Sequence, residues 1–193
     1  MGQMTFLSAE ACHPKVADLA GLLCGAGQMV GFGRGTAARV WVVTGERWRA
    51  GALRALLRER GVQADVSVTE EGEFRVQSAF QRDLTGLAAC WLSDGAKSVP
   101  PDFELDGHKL RFWALACGRH VPGGYLLGLD PAAPQTYEGL QAALQRVGQP
   151  AKVLAPRGGG PGLRIAGARR LARLADLVGP IPVGVEQEMW PAA

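Results

Sequence analysis

The chain repeats itself, and the repeat limits what it can fold into more than any other feature. Leu56-Leu-Arg-Glu-Arg-Gly-Val-Gln-Ala-Asp-Val-Ser-Val68 reads as a helix stopped by Gly61 that enters an alternating strand. Leu144-Gln-Arg-Val-Gly-Gln-Pro-Ala-Lys-Val-Leu154 repeats the pattern, with Gly148 as the stop. A glycine turn follows each (Glu70-Glu-Gly72 and Gly158-Gly-Gly160), then a second strand, Phe74-Arg-Val76 or Leu163-Arg-Ile165. Upstream of each block lies a small-residue helical segment ended by glycine, Val16–Gly27 and Leu84–Gly95. Short strands are expected around Met29–Phe32 and Ala38–Thr44 in the first copy. In the second, after a longer insertion, they are expected around Leu110–Ala116 and Tyr125–Leu129. A last helix, Ala168–Val178, turns Leu171, Leu174, Ala175 and Val178 to one face and Arg169, Arg170 and Arg173 to solvent.

The expected architecture is therefore α+β: two pseudo-symmetric αββαββ(α) lobes whose helices pack on antiparallel sheets. Lobe 1 spans about 12–80, lobe 2 about 81–180, and a Pro-rich tail 180–193, in one two-lobed domain covering 1–193. Length agrees, since 193 residues make one domain or two small lobes at ~150 residues per domain. With 47% apolar and 20% charged residues, the sequence can bury a core and is not a disordered chain. No membrane span is expected, because the longest uncharged stretch, Leu19 to Gly33, has only 15 residues and five glycines. No secretory signal is read at the N-terminus. The dispersed cysteines Cys12, Cys24, Cys90 and Cys117 read as reduced, buried thiols, which suggests a cytoplasmic protein, with nucleoid association allowed. The net charge of +3 permits an anionic partner without demanding one.

The glycine-ended segments carry the next clue. Leu19-Ala-Gly-Leu-Leu-Cys-Gly-Ala-Gly27 and Leu87-Ala-Ala-Cys-Trp-Leu-Ser-Asp-Gly95 place small residues four apart. Ala17, Gly21 and Gly25 would line one helix face, and Thr85, Ala89 and Ser93 the other, so that two backbones approach closely across a lobe interface. Both segments resemble the nine-residue signature of LAGLIDADG homing endonucleases. The longer stretches Cys12–Gly27 and Gln81–Ala96, the latter followed by Pro100, resemble the two such helices of WhiA-type bacterial regulators. The similarity spans roughly residues 5–180. The resemblance implies a two-lobe homing-endonuclease fold used for DNA binding and transcription control without cleavage. WhiA-type proteins continue into a C-terminal helix-turn-helix domain, whereas this sequence ends at Ala193. The double-stranded DNA partner is thus expected to be shared with, or replaced by, a protein partner that supplies such a module.

In the nuclease family the acid before each closing glycine binds a divalent metal. Here the resemblance puts Ala26 and Asp94 at those places, so the symmetric metal pair cannot form. Asp94 remains only a vestigial metal candidate; the expectation is no catalytic residue, no enzyme and no cofactor. A degenerate metal-dependent endonuclease is the second alternative, after a protein-interaction module that has lost DNA binding. In this fold the strands form a saddle on the duplex. Alternation then points Arg75 and Arg164 outward, with Arg39, Lys109, Arg111, Arg119 and Arg157 in or beside other strands as DNA-contact candidates. Their ordinary alternative is to be solvated surface charges. Cys12-His13 and Cys117-Gly-Arg-His120 match no common zinc spacing. Arg157-Gly-Gly-Gly-Pro-Gly162 reads as a hairpin turn, not a phosphate loop, and Trp41 and Trp91 as core. Oligomeric state is not legible.

Overall fold

The computed structural model describes residues 8–9, 13–155 and 159–191; the candidates Cys12 and Arg157 lie outside them. A 3-10 turn, Val16–Leu19, leads into helix α1, Ala20–Cys24. Strands β1 (Gln28–Phe32) and β2 (Ala37–Thr44), helix α2 (Arg47–Glu59), strands β3 (Ala64–Val68) and β4 (Phe74–Ser78) and helix α3 (Thr85–Trp91) complete the first copy. A small hairpin, β5 (Leu92–Ser93) and β6 (Ala96–Lys97), joins it to the second. That copy runs α4 (Gly107–Cys117), β7 (Gly118–Val121), β8 (Gly124–Gly128), α5 (Tyr137–Arg146), β9 (Lys152–Leu154), β10 (Gly162–Ala166) and α6 (Ala168–Val178). The two main sheets have the same antiparallel order, β1-β2-β4-β3 and β7-β8-β10-β9. The expected αββαββ(α) unit is present twice.

The start of the second unit differs from expectation in two ways. Leu110–Ala116 is not a strand but the body of α4. Every residue from Phe112 to Ala116 is buried, so the helix is apolar nearly all round and shows no period in sequence. Its start is marked instead by Asp106, whose carboxylate caps the helix by accepting from the Lys109 amide at 2.9 Å. Full burial of Phe112 and Trp113 stabilises the fold by about 2–3 kcal/mol each. Conversely, Asp94-Gly95 does not end a helix. Both residues have positive φ (51° and 80°) and turn the β5–β6 hairpin, where Ser93 pairs with Ala96. An Asp-Gly pair is a two-residue hairpin signal. The trailing helix of copy one, α3, is thus the segment that sequence alone assigned to the head of copy two.

The close helix contact joins α1 to α4. A Cβ on Gly21 would fall 2.0 Å from the Lys109 carbonyl oxygen and 2.7 Å from Phe112 Cβ. One on Gly25 would meet the Cys117 sulfur, so only glycine fits at both places. The predicted partners Thr85, Ala89 and Ser93 do not form this seam: Ala89 and Ser93 are exposed, and α3 rests on β1 and β2. Ala17, in the 3-10 turn, is also exposed. At the N-terminal end of the seam, buried Arg60 donates from Nε to Asp18 at 3.1 Å and from Nη2 to His108 Nδ1 at 3.0 Å. That imidazole nitrogen must be the acceptor, because a guanidinium only donates. One apolar cluster extends through both copies, with β2, β4, β8 and β10 supplying Val40, Val42, Val76, Leu127, Leu163 and Ile165. Cys24 is buried as expected and Cys117 largely so, whereas Cys90 on α3 is exposed. Among the described residues no helix is long and apolar enough to cross a membrane.

Candidate nucleic-acid interface

Strand alternation sorts the two sheets into a helix-covered face and an outer face. In the second sheet, Leu163, Ile165 and Leu127 turn inward, and Arg164 outward. The register then aligns Arg119, Leu126, Arg164 and Lys152 directly across β7, β8, β10 and β9. Leu126 is buried yet not part of the main core, since it sits between the two arginines on the outer side. Arginine stems cover apolar surface in this way, and both arginines are half-buried. Backbone carbonyls anchor both heads: Arg119 Nη2 donates to Gly159 at 2.6 Å and Arg164 Nη2 to Gly123 at 3.3 Å. Arg164 Nε is buried without a hydrogen-bond partner. Lys152, which sequence reasoning missed, is exposed; the cue was its place in the second copy of the repeat, opposite Arg164.

The outer face of the first sheet has a different chemistry. Arg75 is exposed there and stands between Val43 and Ser67; Gln77 stands between Trp41 and Asp65. Trp41, expected in the core, is half-buried on this face, whereas Trp91 is buried. Arg39 stacks on the Phe80 ring at 3.8 Å, and Phe80 touches Phe32 with ring centroids 5.2 Å apart. Phe32 is 62% exposed at the end of β1, with Val30 beside it on the same face. The face is part cationic, part aromatic.

Lys109 and Arg111 are not on either face, because both stand on α4. Lys109 pairs with Asp106 at 2.6 Å, and Arg111 donates to the Val178 and Pro180 carbonyls, fastening the segment after α6. His13 is exposed. His120 Nε2 lies 3.1 Å from the Trp190 carbonyl, and the Cys117 thiol points at the Gly128 carbonyl. Among the described residues no three His, Cys, Asp or Glu side chains are grouped to hold a metal.

The ends of the seam helices are where the nuclease resemblance placed its acids. With α4 as the second seam helix, the residue before the closing Gly118 is Cys117, not Asp94. The Ala26 amide faces the Cys117 thiol, whose pKa is pushed up by burial. Neither position carries a carboxylate. Each helix end is met by a buried cation instead. Lys97 Nζ lies 2.8 Å from the carbonyl oxygens of both Gly25 and Gly27, and 2.7 Å from Asp130. Arg49 donates to the carbonyls of Ala114, Leu115 and Gly118 at the end of α4. Cations suit the negative end of a helix dipole, and these two satisfy carbonyls the helices leave open. Burial raises the Asp130 carboxyl pKa, but the hydrogen bonds from Lys97 and from Gln28 outweigh it and hold the group below its ordinary value. Sequence reasoning missed Lys97, Arg49 and Asp130, because each acts across more than 30 intervening residues.

Two sheets of one order, each preceded by a seam helix that meets its counterpart through glycine, make the LAGLIDADG homing-endonuclease fold. Solved structures agree. The homing endonuclease I-WcaI, bound to its DNA recognition sequence, superimposes with a TM-score of 0.66 at 13% identity, over 98% of this chain and 92% of that one. The N-terminal LAGLIDADG domain of DUF199/WhiA matches at 0.55 and 13% identity, over 90% of this chain and 83% of the domain. Full-length DUF199/WhiA from Thermatoga maritima matches at 0.58 and 14% identity, and the chain spans 56% of its length. No family model and no curated protein sequence matches the chain.

Proposed function

We propose that the protein binds double-stranded DNA through the outer faces of its two sheets without cutting it, in the manner of a WhiA-like regulator or chromosome-associated protein. The observation that carries this is the row Arg119, Arg164 and Lys152 across four strands of one face, with Arg75 on the equivalent strand of the other. Guanidinium and ammonium groups at strand spacing suit phosphates and guanine edges. The likeness of the fold to a DNA-bound homing endonuclease supports the same reading. The absence of cleavage is argued from Ala26, Cys117 and Lys97. Divalent metals need anionic oxygen ligands, and here a fixed ammonium sits at the carbonyls that end α1.

A salt titration tests this. Affinity for long duplex DNA should be measurable at about 50 mM salt and fall by about two orders of magnitude by about 200 mM, as four phosphate contacts require. Replacing Arg75 and Arg164 together by glutamine should weaken binding on the order of tenfold or more and reduce the salt slope by about 2. No binding at low salt removes the reading. Plasmid should stay intact with Mg²⁺ or Mn²⁺; nicking by the protein would return it to the nucleases. A second reading, a protein-docking module, is favoured by one observation: the Phe32–Phe80 ring contact on the first face, with Phe32 exposed. Retained binding to duplex in the Arg75, Arg164 variant would point the cationic face elsewhere.

A further inference from the structure

The cationic row does not stop at the edge of the second sheet. Beyond β9 the surface opens into two adjoining cavities of about 580 and 620 Å³, which share Pro150, Ala166 and Arg170. Lys152 and Arg164, the end of the outer-face row, line the first; Arg169, Arg170 and Arg173 of α6 line the second. No carboxylate lines either cavity, and none of these five cations forms an ion pair among the described residues. Arg169, Arg170 and Arg173 are exposed. Arg169 and Arg170 also stand in the first turn of α6, the end of a helix dipole where cations are disfavoured and anions welcome. Gly148 leaves room for Arg173, whose guanidinium carbon would lie 3.2 Å from a Cβ there. The ordinary role of such arginines is a solvated helix face. That role does not explain why five unpaired cations line one continuous groove that begins on the proposed DNA face.

We infer that this groove is a second phosphate track, which takes the DNA backbone as it leaves the sheet face and passes the β9 edge. The inference rests on the DNA-binding reading above. It adds that the second lobe holds flanking duplex that the saddle alone does not reach.

The experiment compares two duplexes. At about 4.8 Å per strand each four-stranded sheet is about 19 Å wide, roughly 6 base pairs, so a duplex of about 12 base pairs is matched to the two sheets and one of about 30 also reaches the groove. Arg169→Gln/Arg170→Gln/Arg173→Gln should bind the short duplex within about twofold of wild type. It should bind the long one on the order of tenfold more weakly, with a salt slope reduced by about 2–3. The Arg169→Gln/Arg170→Gln pair, which leaves the Arg173 contact with Gly148 intact, should show the same direction. Equal loss on both duplexes, or none on the long one, overturns the groove while leaving the saddle standing. Failure of the wild type to bind either duplex overturns both.

Discussion

Lys97→Met is expected to cost about 3–5 kcal/mol of stability, more than any surface change in this protein. The Lys97 side chain is 5% exposed, and its ammonium joins the Gly25 and Gly27 carbonyls to the Asp130 carboxylate, whose side chain is 7% exposed. Methionine fills much of the volume but leaves Asp130 charged and buried, with only the Gln28 amide at 2.6 Å and the Ala132 N–H at 2.9 Å to solvate it. At about 2–4 °C per kcal/mol for a chain of this size, the melting temperature should drop by about 6–20 °C. Adding Asp130→Asn should restore part of the loss; a double variant no better than the single would show that the pair is not what Lys97 contributes. The pH dependence has a definite sign. Asp130 is held below its ordinary value, so its contribution is complete above about pH 4 and disappears as pH falls through the folded value. In the methionine variant the unpaired carboxyl gains from protonation, so the gap between the two proteins should narrow as pH falls from about 6 to 3. A constant gap across that range would place the effect outside the ion pair.

Gly21→Ala is expected to destabilise by about 3 kcal/mol, although alanine is the better helix former by about 1 kcal/mol. The added methyl would enter the Lys109 carbonyl, and backbone cannot rotate away as a side chain can. The two seam helices must separate, and with them the packing of Phe112. Gly51→Ala supplies the contrast. It lies in α2 with open space around its Cβ, so the same substitution should be neutral or stabilise by up to about 1 kcal/mol. Thermal or urea unfolding of the two variants separates packing from propensity; similar behaviour of both would mean that the seam is looser than its geometry.

The repeat, the paired strands and the outward arginines were legible because they rest on local signals: glycine stops after helices, alternation along strands, turn residues between them. Arg75 and Arg164 stand where alternation puts them. The second seam helix was not legible. A helix buried on every side, as α4 is from Phe112 to Ala116, has no polar stripe to give it a period, while Leu87 to Gly95 imitates the expected ending with a hairpin turn. The misreading carried Lys109 and Arg111 onto strands and Asp94 into a metal position. The cap at Asp106 was the local signal available for α4. Lys97, Arg49 and Asp130 had no such signal, since what makes them matter is the carbonyl or charge each meets across the fold.

Carrying both copies of the unit in one chain has a consequence for heredity. In a homodimer any substitution on one face is written twice, so the two halves stay identical across their axis. Here Arg119, Arg164 and Lys152 arose on one sheet while Trp41 and Phe32 occupy the other, with no change imposed on the twin position. The molecule has a left and a right. Whatever lies against it must be met in one orientation, and the two sheets are free to diverge further without disturbing the seam between them.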